Sequence, residues 1–253
     1  MALYLGSLLV KEAQSGGGGN TDELEAIIDN SGVLDSTEGS VEEKVEQLID
    51  KAEDENAWYK ASENIVNANN LFQNHQGVTI PRTNLISATS LDNFIKGSKV
   101  EYIDYYLNTP KVTSFQYGLA SAPVKKLKGV DTSKATQVNG IFANDRLLET
   151  IEEPLDFSSV TQIMPLAFNG CSNLKNISFV AETIKLSIYF NASSSLSAAS
   201  VQSIIDGLAT VTTAQTLTLN PNDKILQSQV DTANAKGWTI AGGKIVSEEE
   251  YYG

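Results

Sequence analysis

Cys171 and His75 are the single cysteine and the single histidine of the chain, so thiolate or imidazole chemistry would have to use one of them. A lone cysteine excludes an intramolecular disulfide framework, and a lone histidine excludes any site that needs two imidazoles. His75 sits in the polar stretch Gln73-Asn-His-Gln76 with no nucleophile motif beside it, which argues against a Ser-His-Asp arrangement. Cys171 falls at a small-residue corner of a repeating pattern, the setting of a buried, inert thiol. The run Gly16-Gly17-Gly18-Gly19 has no strand before it and no Lys-Ser or Lys-Thr after it, so it is not a phosphate loop. Glu152-Glu153 and Glu248-Glu249-Glu250 lack the spaced Asp/Asn/Gly pattern of a calcium loop and read as solvated charge. Tyr102, Tyr105, Tyr106 and Tyr117 cluster with Phe115; as a surface shelf they could stack on a sugar ring, and as core they would only pack. No catalytic residue, metal or cofactor is expected, and the chain reads as a non-enzyme.

The elements that would carry these residues differ along the 253-residue chain. Acidic residues number 31 against 18 basic, a net charge of −13, which argues against nucleic acid or an anionic membrane as a partner. No apolar run approaches the roughly 18 residues of a membrane span. The opening MALYLGSLLV has no basic n-region and no small-residue cleavage site, so a secretory signal is not expected. Residues 1–80 hold 15 acidic and 4 basic side chains, and all six prolines lie from Pro81 onward. Charge and proline usage together place a boundary near residue 80.

Ahead of that boundary, residues 1–20 are an apolar head and a glycine tether, and residues 21–80 an acidic helical segment. Ser40 and Glu43 have capping-box spacing. After them Val41, Val45, Leu48, Ala52, Glu55 and Tyr59 alternate steps of four and three, a heptad seam interrupted by Glu55. The seam residues Val41, Val45, Leu48, Ala52 and Tyr59 could join identical chains, or one amphipathic helix could fold on its own domain.

Beyond the boundary the sequence repeats. Phe94-Val100-Ile103, Gly118-Val124-Leu127, Phe142-Leu148-Ile151 and Phe168-Leu174-Ile177 share one spacing, with starts 24, 24 and 26 residues apart. VTSF at Val112–Phe115, ATQV at Ala135–Val138 and VTQI at Val160–Ile163 precede three of them. Units this short cannot enclose their own apolar side chains and must stack, giving columns of equivalent residues and a narrow parallel sheet. The spacing predicts a column of Phe94, Phe142 and Phe168 with Gly118 as a gap in it. Residues 191–253 then read as an αβαβ cap. Ser197 caps a helix carrying Val201, Ile204, Ile205 and Leu208; strands follow at Gln215–Asn220 and Trp238–Ile240 around a helix within 222–236, and Ser247–Gly253 is a solvated tail.

The stretches Asp131-Thr-Ser-Lys-Ala-Thr-Gln-Val-Asn-Gly-Ile-Phe142, Asp156-Phe-Ser-Ser-Val-Thr-Gln-Ile163 and Ala167-Phe-Asn-Gly-Cys-Ser-Asn-Leu-Lys-Asn-Ile177 resemble the BspA-like leucine-rich repeats of bacterial and phage surface proteins. The Gly118 unit departs from that pattern. The opening MALYLGS is similar to the first residues of many structural proteins of phages and prophages from gut bacteria. The resemblance implies an α+β protein: an N-terminal helical or coiled-coil segment, leucine-rich repeats over residues 81–190 and a C-terminal cap. It implies a virion fibre or tail-associated protein, homotrimeric as phage fibres commonly are. Ala2, Leu3, Tyr4 and Leu5 would bind another virion protein, and Tyr102, Tyr105, Tyr106 and Tyr117 would face a host glycan or protein. A bacterial surface adhesin is the alternative.

Overall fold

The computed structural model describes residues 59, 62–103, 105–162, 165–193 and 196–252. The expected anchor (Ala2, Leu3, Tyr4, Leu5) and the seam residues Val41, Val45, Leu48 and Ala52 lie outside them. Contacts divide the described chain into two units, residues 59, 62–65 and 80–85 in one and residues 66–79 and 86–252 in the other. In the first, Ser62 Oγ donates to Tyr59 O at 3.0 Å and accepts from Asn84 N at 2.7 Å. The Arg82 guanidinium lies 4.7 Å from the centre of the Tyr59 ring, so this expected seam residue stacks on a cation of its own chain.

In the second unit the chain returns beside itself every 23 to 26 residues. One parallel ladder joins Asn67, Ser90, Ser114 and Gln137. Another joins β1 (Lys126–Leu127), β2 (Thr150–Ile151) and Asn176. Stacking buries what one winding cannot. Leu148 and Leu174 occupy equivalent corners, both 0% exposed, each donating its N–H three residues back, to Asp145 O and Cys171 O. Ile103, Leu127, Ile151 and Ile177 are buried beside them.

Between the ladders each winding turns on a strict division of its amides. In residues 68–75 the N–H groups of Leu71, Gln73 and His75 donate three residues back within the winding. Those of Ala68, Asn70, Phe72 and Asn74 donate to Ser90, Asp92, Phe94 and Lys96 of the next one. Nearly every backbone donor is thereby satisfied without a helix or a strand. The turns need a left-handed residue every fourth position: Asn70 and Asn74, Asn93 and Gly97, Tyr117 and Ser121, Gly140 and Asn144. Asparagine and glycine dominate these sites because they tolerate positive φ best. Side chains add further ties. Asn69 Oδ1 accepts from Ser90 Oγ (2.6 Å) and Asp92 N (2.8 Å), and Asp92 Oδ1 repeats this one winding on, with Ser114 Oγ (2.5 Å) and Gln116 N (2.9 Å).

Two expectations need correction. The first is phase. Phe72 N donates to Phe94 O, Ile95 N to Gly118 O, Leu119 N to Ile141 O and Phe142 N to Ala167 O. The column is therefore Phe72, Ile95, Leu119, Phe142 and Phe168, not Phe94, Gly118, Phe142 and Phe168. The windings of Phe142 and Phe168 hold one extra residue at the following corner, so an identical spacing of six and three picks out a neighbour in the earlier windings. Gly118 is no gap: a side chain there would strike the Leu91 carbonyl. The second is the boundary, because residues 66–79 already form a winding registered on the next through Asn67–Ser90 and Thr79–Tyr102.

The second ladder ends against a helix, not a further strand. In α1 (Ala198–Gly207) the N-cap Ser197 accepts from Ser200 N. Ser200 Oγ accepts from Ile177 N and donates to Lys175 O, both at 2.9 Å, and Ser203 Oγ accepts from Phe179 N at 2.9 Å. Hydroxyls of one helix face thus replace the missing strand. Ser200→Ala leaves the buried Ile177 amide unpaired and should cost about 1–3 kcal/mol, read as a lower urea midpoint at unchanged m-value.

On either side of α1 in the chain, β3 (Ile188–Tyr189) before it and β4 (Gln215–Thr218) and β6 (Trp238–Ala241) after it form a parallel sheet, with Ile188, Leu217 and Ile240 in register. β5 (Lys224–Ile225) pairs in parallel with β7 (Lys244–Ile245), and α2 (Gln227–Ala235) links β5 to β6. The expected solvated tail is instead a short helix, α3 (Glu248–Tyr252). Tyr251 is buried, its hydroxyl donating to Ala198 O at 2.7 Å and accepting from Gln229 Nε2 at 2.8 Å. Lys244 Nζ holds Glu250 at 2.6 Å.

Candidate functional site

The tyrosine cluster separates into three environments. Tyr105 is 8% exposed, so it belongs to the core and not to a host-facing surface. Tyr117 is half-buried, with φ of 53°, Lys96 Nζ 4.4 Å from its ring centre and Gly140 directly against the ring. It works as a clamp between windings, which accounts for a bulky residue at a left-handed position. Tyr102 and Tyr106 are 54% and 56% exposed. Tyr106 lies against the Gly129 backbone, where a β-carbon would overlap the ring. Burial first and Glu153 second raise the Tyr106 pKa above the usual phenol value.

The second ladder presents an open groove of about 360 Å³ lined by the polar Lys126, Thr150, Glu152, Asn176, Ser178, Ser197 and Ser200 and by the apolar Ile151, Ile177 and Ala199. Lys126 Nζ meets Glu152 at 2.5 Å, which holds the Glu152 carboxyl below its ordinary pKa. Asn176 Nδ2 donates to Thr150 Oγ1 at 3.1 Å. Glu153 Oε2 accepts from Gly129 N at 2.5 Å. The acid pair expected to be solvated is therefore engaged, one carboxylate by an ammonium and the other by a backbone amide.

Of the remaining reactive groups, the thiol and two carboxylates point inward, while His75 is only partly buried. Cys171 is fully buried, its Sγ donating to Phe142 O at 3.0 Å, and burial with nearby Asp145 drives the thiol pKa far up. Asp145, one winding below at the same corner, is 1% exposed and accepts from Ala122 N at 2.9 Å; burial raises its pKa well above the usual carboxylate value. Asp223 accepts from Asn220 N at 3.1 Å and is pushed up to about 6 by burial. His75 Nε2 lies 3.0 Å from Thr79 O, with its pKa lowered chiefly by burial. Among the described residues no three His, Cys, Asp or Glu side chains are grouped to hold a metal ion. Sequence reasoning missed the groove because its polar residues are spread over four segments that only the register brings together. The signal available was the repeat itself, which places Lys126, Thr150 and Asn176 at matching positions. Comparison with family models, with curated proteins and with solved structures gives no match for this chain.

Proposed function

We propose that the protein is a non-enzymatic structural component of a virion, a fibre or tail-associated subunit that displays leucine-rich repeats for host-surface attachment. In this reading the N-terminal residues Ala2, Leu3, Tyr4 and Leu5 fix it to other virion proteins, and the acidic segment with Val41, Val45, Leu48, Ala52 and Tyr59 gathers a homotrimer. The resemblance of residues 131–177 to BspA-like repeats supports the identity. The observation that carries the attachment role is the outward file Lys126, Thr150 and Asn176, one residue per winding on a hydrogen-bonded ladder. A file of that kind offers a fixed backbone, so binding orders side chains only. The buried acids and thiol serve packing, not chemistry on a substrate.

Deleting Met1–Ser15 should abolish incorporation into particles while leaving the windings folded. The full chain should bind host bacteria saturably and scatter light as a trimer at micromolar concentration. Saturable binding by a chain that never enters particles, with or without the deletion, would replace the virion reading with that of a cell-surface adhesin. A monomer would overturn the gathering role.

A further inference from the structure

The outward face of the second ladder and the winding before it combine three features that recur where proteins hold carbohydrate. The first is a platform. Tyr106 is more than half exposed while its ring rests on the Gly129 backbone, so a flat apolar surface is held in place without a side chain crowding it. The second is a dense set of hydrogen-bonding groups: the Thr150 hydroxyl, the Asn176 amide, the hydroxyls of Ser178 and Ser197 and the Lys126–Glu152 pair line one open groove. The third is charge. The Lys126 ammonium and the Glu152 carboxylate offset one another at 2.5 Å, so the groove favours neither an anionic nor a cationic polymer.

Platform and groove are contiguous along the backbone. Gly129 follows Lys126 by three residues, about 10 Å of extended chain. Glu153, which accepts from Gly129 N and raises the pKa of Tyr106, directly follows Glu152 of the groove. Thr150 and Asn176 stand on adjacent strands, about 4.8 Å apart across the ladder, comparable to one sugar ring.

We infer that Tyr106 and the groove of Lys126, Thr150, Glu152 and Asn176 form a binding site for a neutral glycan, the ring stacking on one sugar and the groove hydrogen-bonding its neighbours. The site rests on the attachment role proposed above and names the class of receptor. A ligand rich in hydroxyls fits because each polar lining group can donate to it or accept from it, and Ile151, Ile177 and Ala199 among them offer apolar contact to its ring carbons. An extended oligosaccharide fits because the site is a strip, not a pit.

The test is calorimetric titration of the full chain with cellohexaose, chitohexaose and maltohexaose, and with polygalacturonate as the anionic control. Saturable binding of at least one neutral hexasaccharide is expected, stronger than to polygalacturonate. Tyr106→Ala should weaken it at least tenfold, Asn176→Ala several-fold, and Tyr106→Phe little, since the ring carries the stack. Both positions are at the surface, so an unchanged melting temperature separates lost contact from lost fold. Binding to none of the three sugars, tighter binding of the anionic polymer, or an affinity unmoved by Tyr106→Ala and Asn176→Ala alike would overturn the site. Host-cell attachment that survives Tyr106→Ala, with no sugar bound, would remove the glycan site and leave the attachment role standing. Sugar binding lost in Tyr106→Ala, by a chain that attaches to no cell, would keep the site and remove the role.

Discussion

Leu148→Asp should unfold the windings at room temperature. Leu148 is fully buried at a corner shared with Leu174, and its burial is worth roughly 1.5–3 kcal/mol. The substitution removes that term and adds an unpaired carboxylate in an apolar layer, a further cost of several kcal/mol. Together these take up most of the ~5–15 kcal/mol that a domain of this kind has. Leu148→Ala, which only opens a cavity, should cost about 2–5 kcal/mol and keep a cooperative transition. Circular dichroism melts of both variants decide the point. A Leu148→Asp protein melting within a few degrees of the parent would mean that the windings do not depend on their stacked core.

The second large effect is a dependence on pH. Asp145 and Asp223 are both buried, and burial raises both pKa values, that of Asp223 to about 6. A carboxyl whose folded pKa lies above its unfolded value, about 3.9, binds a proton more tightly in the native state. Its stabilising contribution is complete below about pH 4 and is lost as pH rises through the folded pKa. Scanning calorimetry at constant ionic strength should therefore show the melting temperature falling from pH 4 to pH 7. Asp223→Asn should flatten the part of the fall below about pH 6, and Asp145→Asn should flatten the fall as well. Repulsion within the acidic chain acts in the same direction, so the difference between variant and parent is the quantity to read. Variants whose melting temperatures run parallel to the parent's from pH 4 to pH 6 would contradict the burial of both groups.

How much of this was legible in the sequence depended on the kind of signal. The period was readable because Val124, Leu148 and Leu174 are aliphatic at near-constant spacing, and stacking demands that. Its phase was not, because an extra residue at the corners after Asn144 and Gly170 leaves the aliphatic positions intact while shifting the aromatic ones. Helix α1 was readable from Ser197 and the run Val201, Ile204, Ile205, Leu208. The role of Ser200 and Ser203 was not, since a serine facing a strand edge looks like any other serine in a helix. Three consecutive glutamates hid the docking of Tyr251, whose partners Gln229 and Ala198 are far away in sequence. Asp145 was unreadable for the opposite reason: it occupies a corner held elsewhere by Ser98, Ala122 and Cys171, where charge is not anticipated. Of the candidate site, exposure sorted Tyr102 and Tyr106 from Tyr105, and exposure follows from packing that no spacing encodes.

The hydroxyls of Ser200 and Ser203 have one more consequence. A parallel array is a template that any passing peptide could extend, and its last strand is where runaway polymerisation would begin. Occupying the terminal amides of Ile177 and Phe179 with a helix makes that face non-propagating, so the number of windings there is written into the gene and not left to mass action. Loss of those two serines would be expected to surface first as insolubility on expression, before any loss of binding.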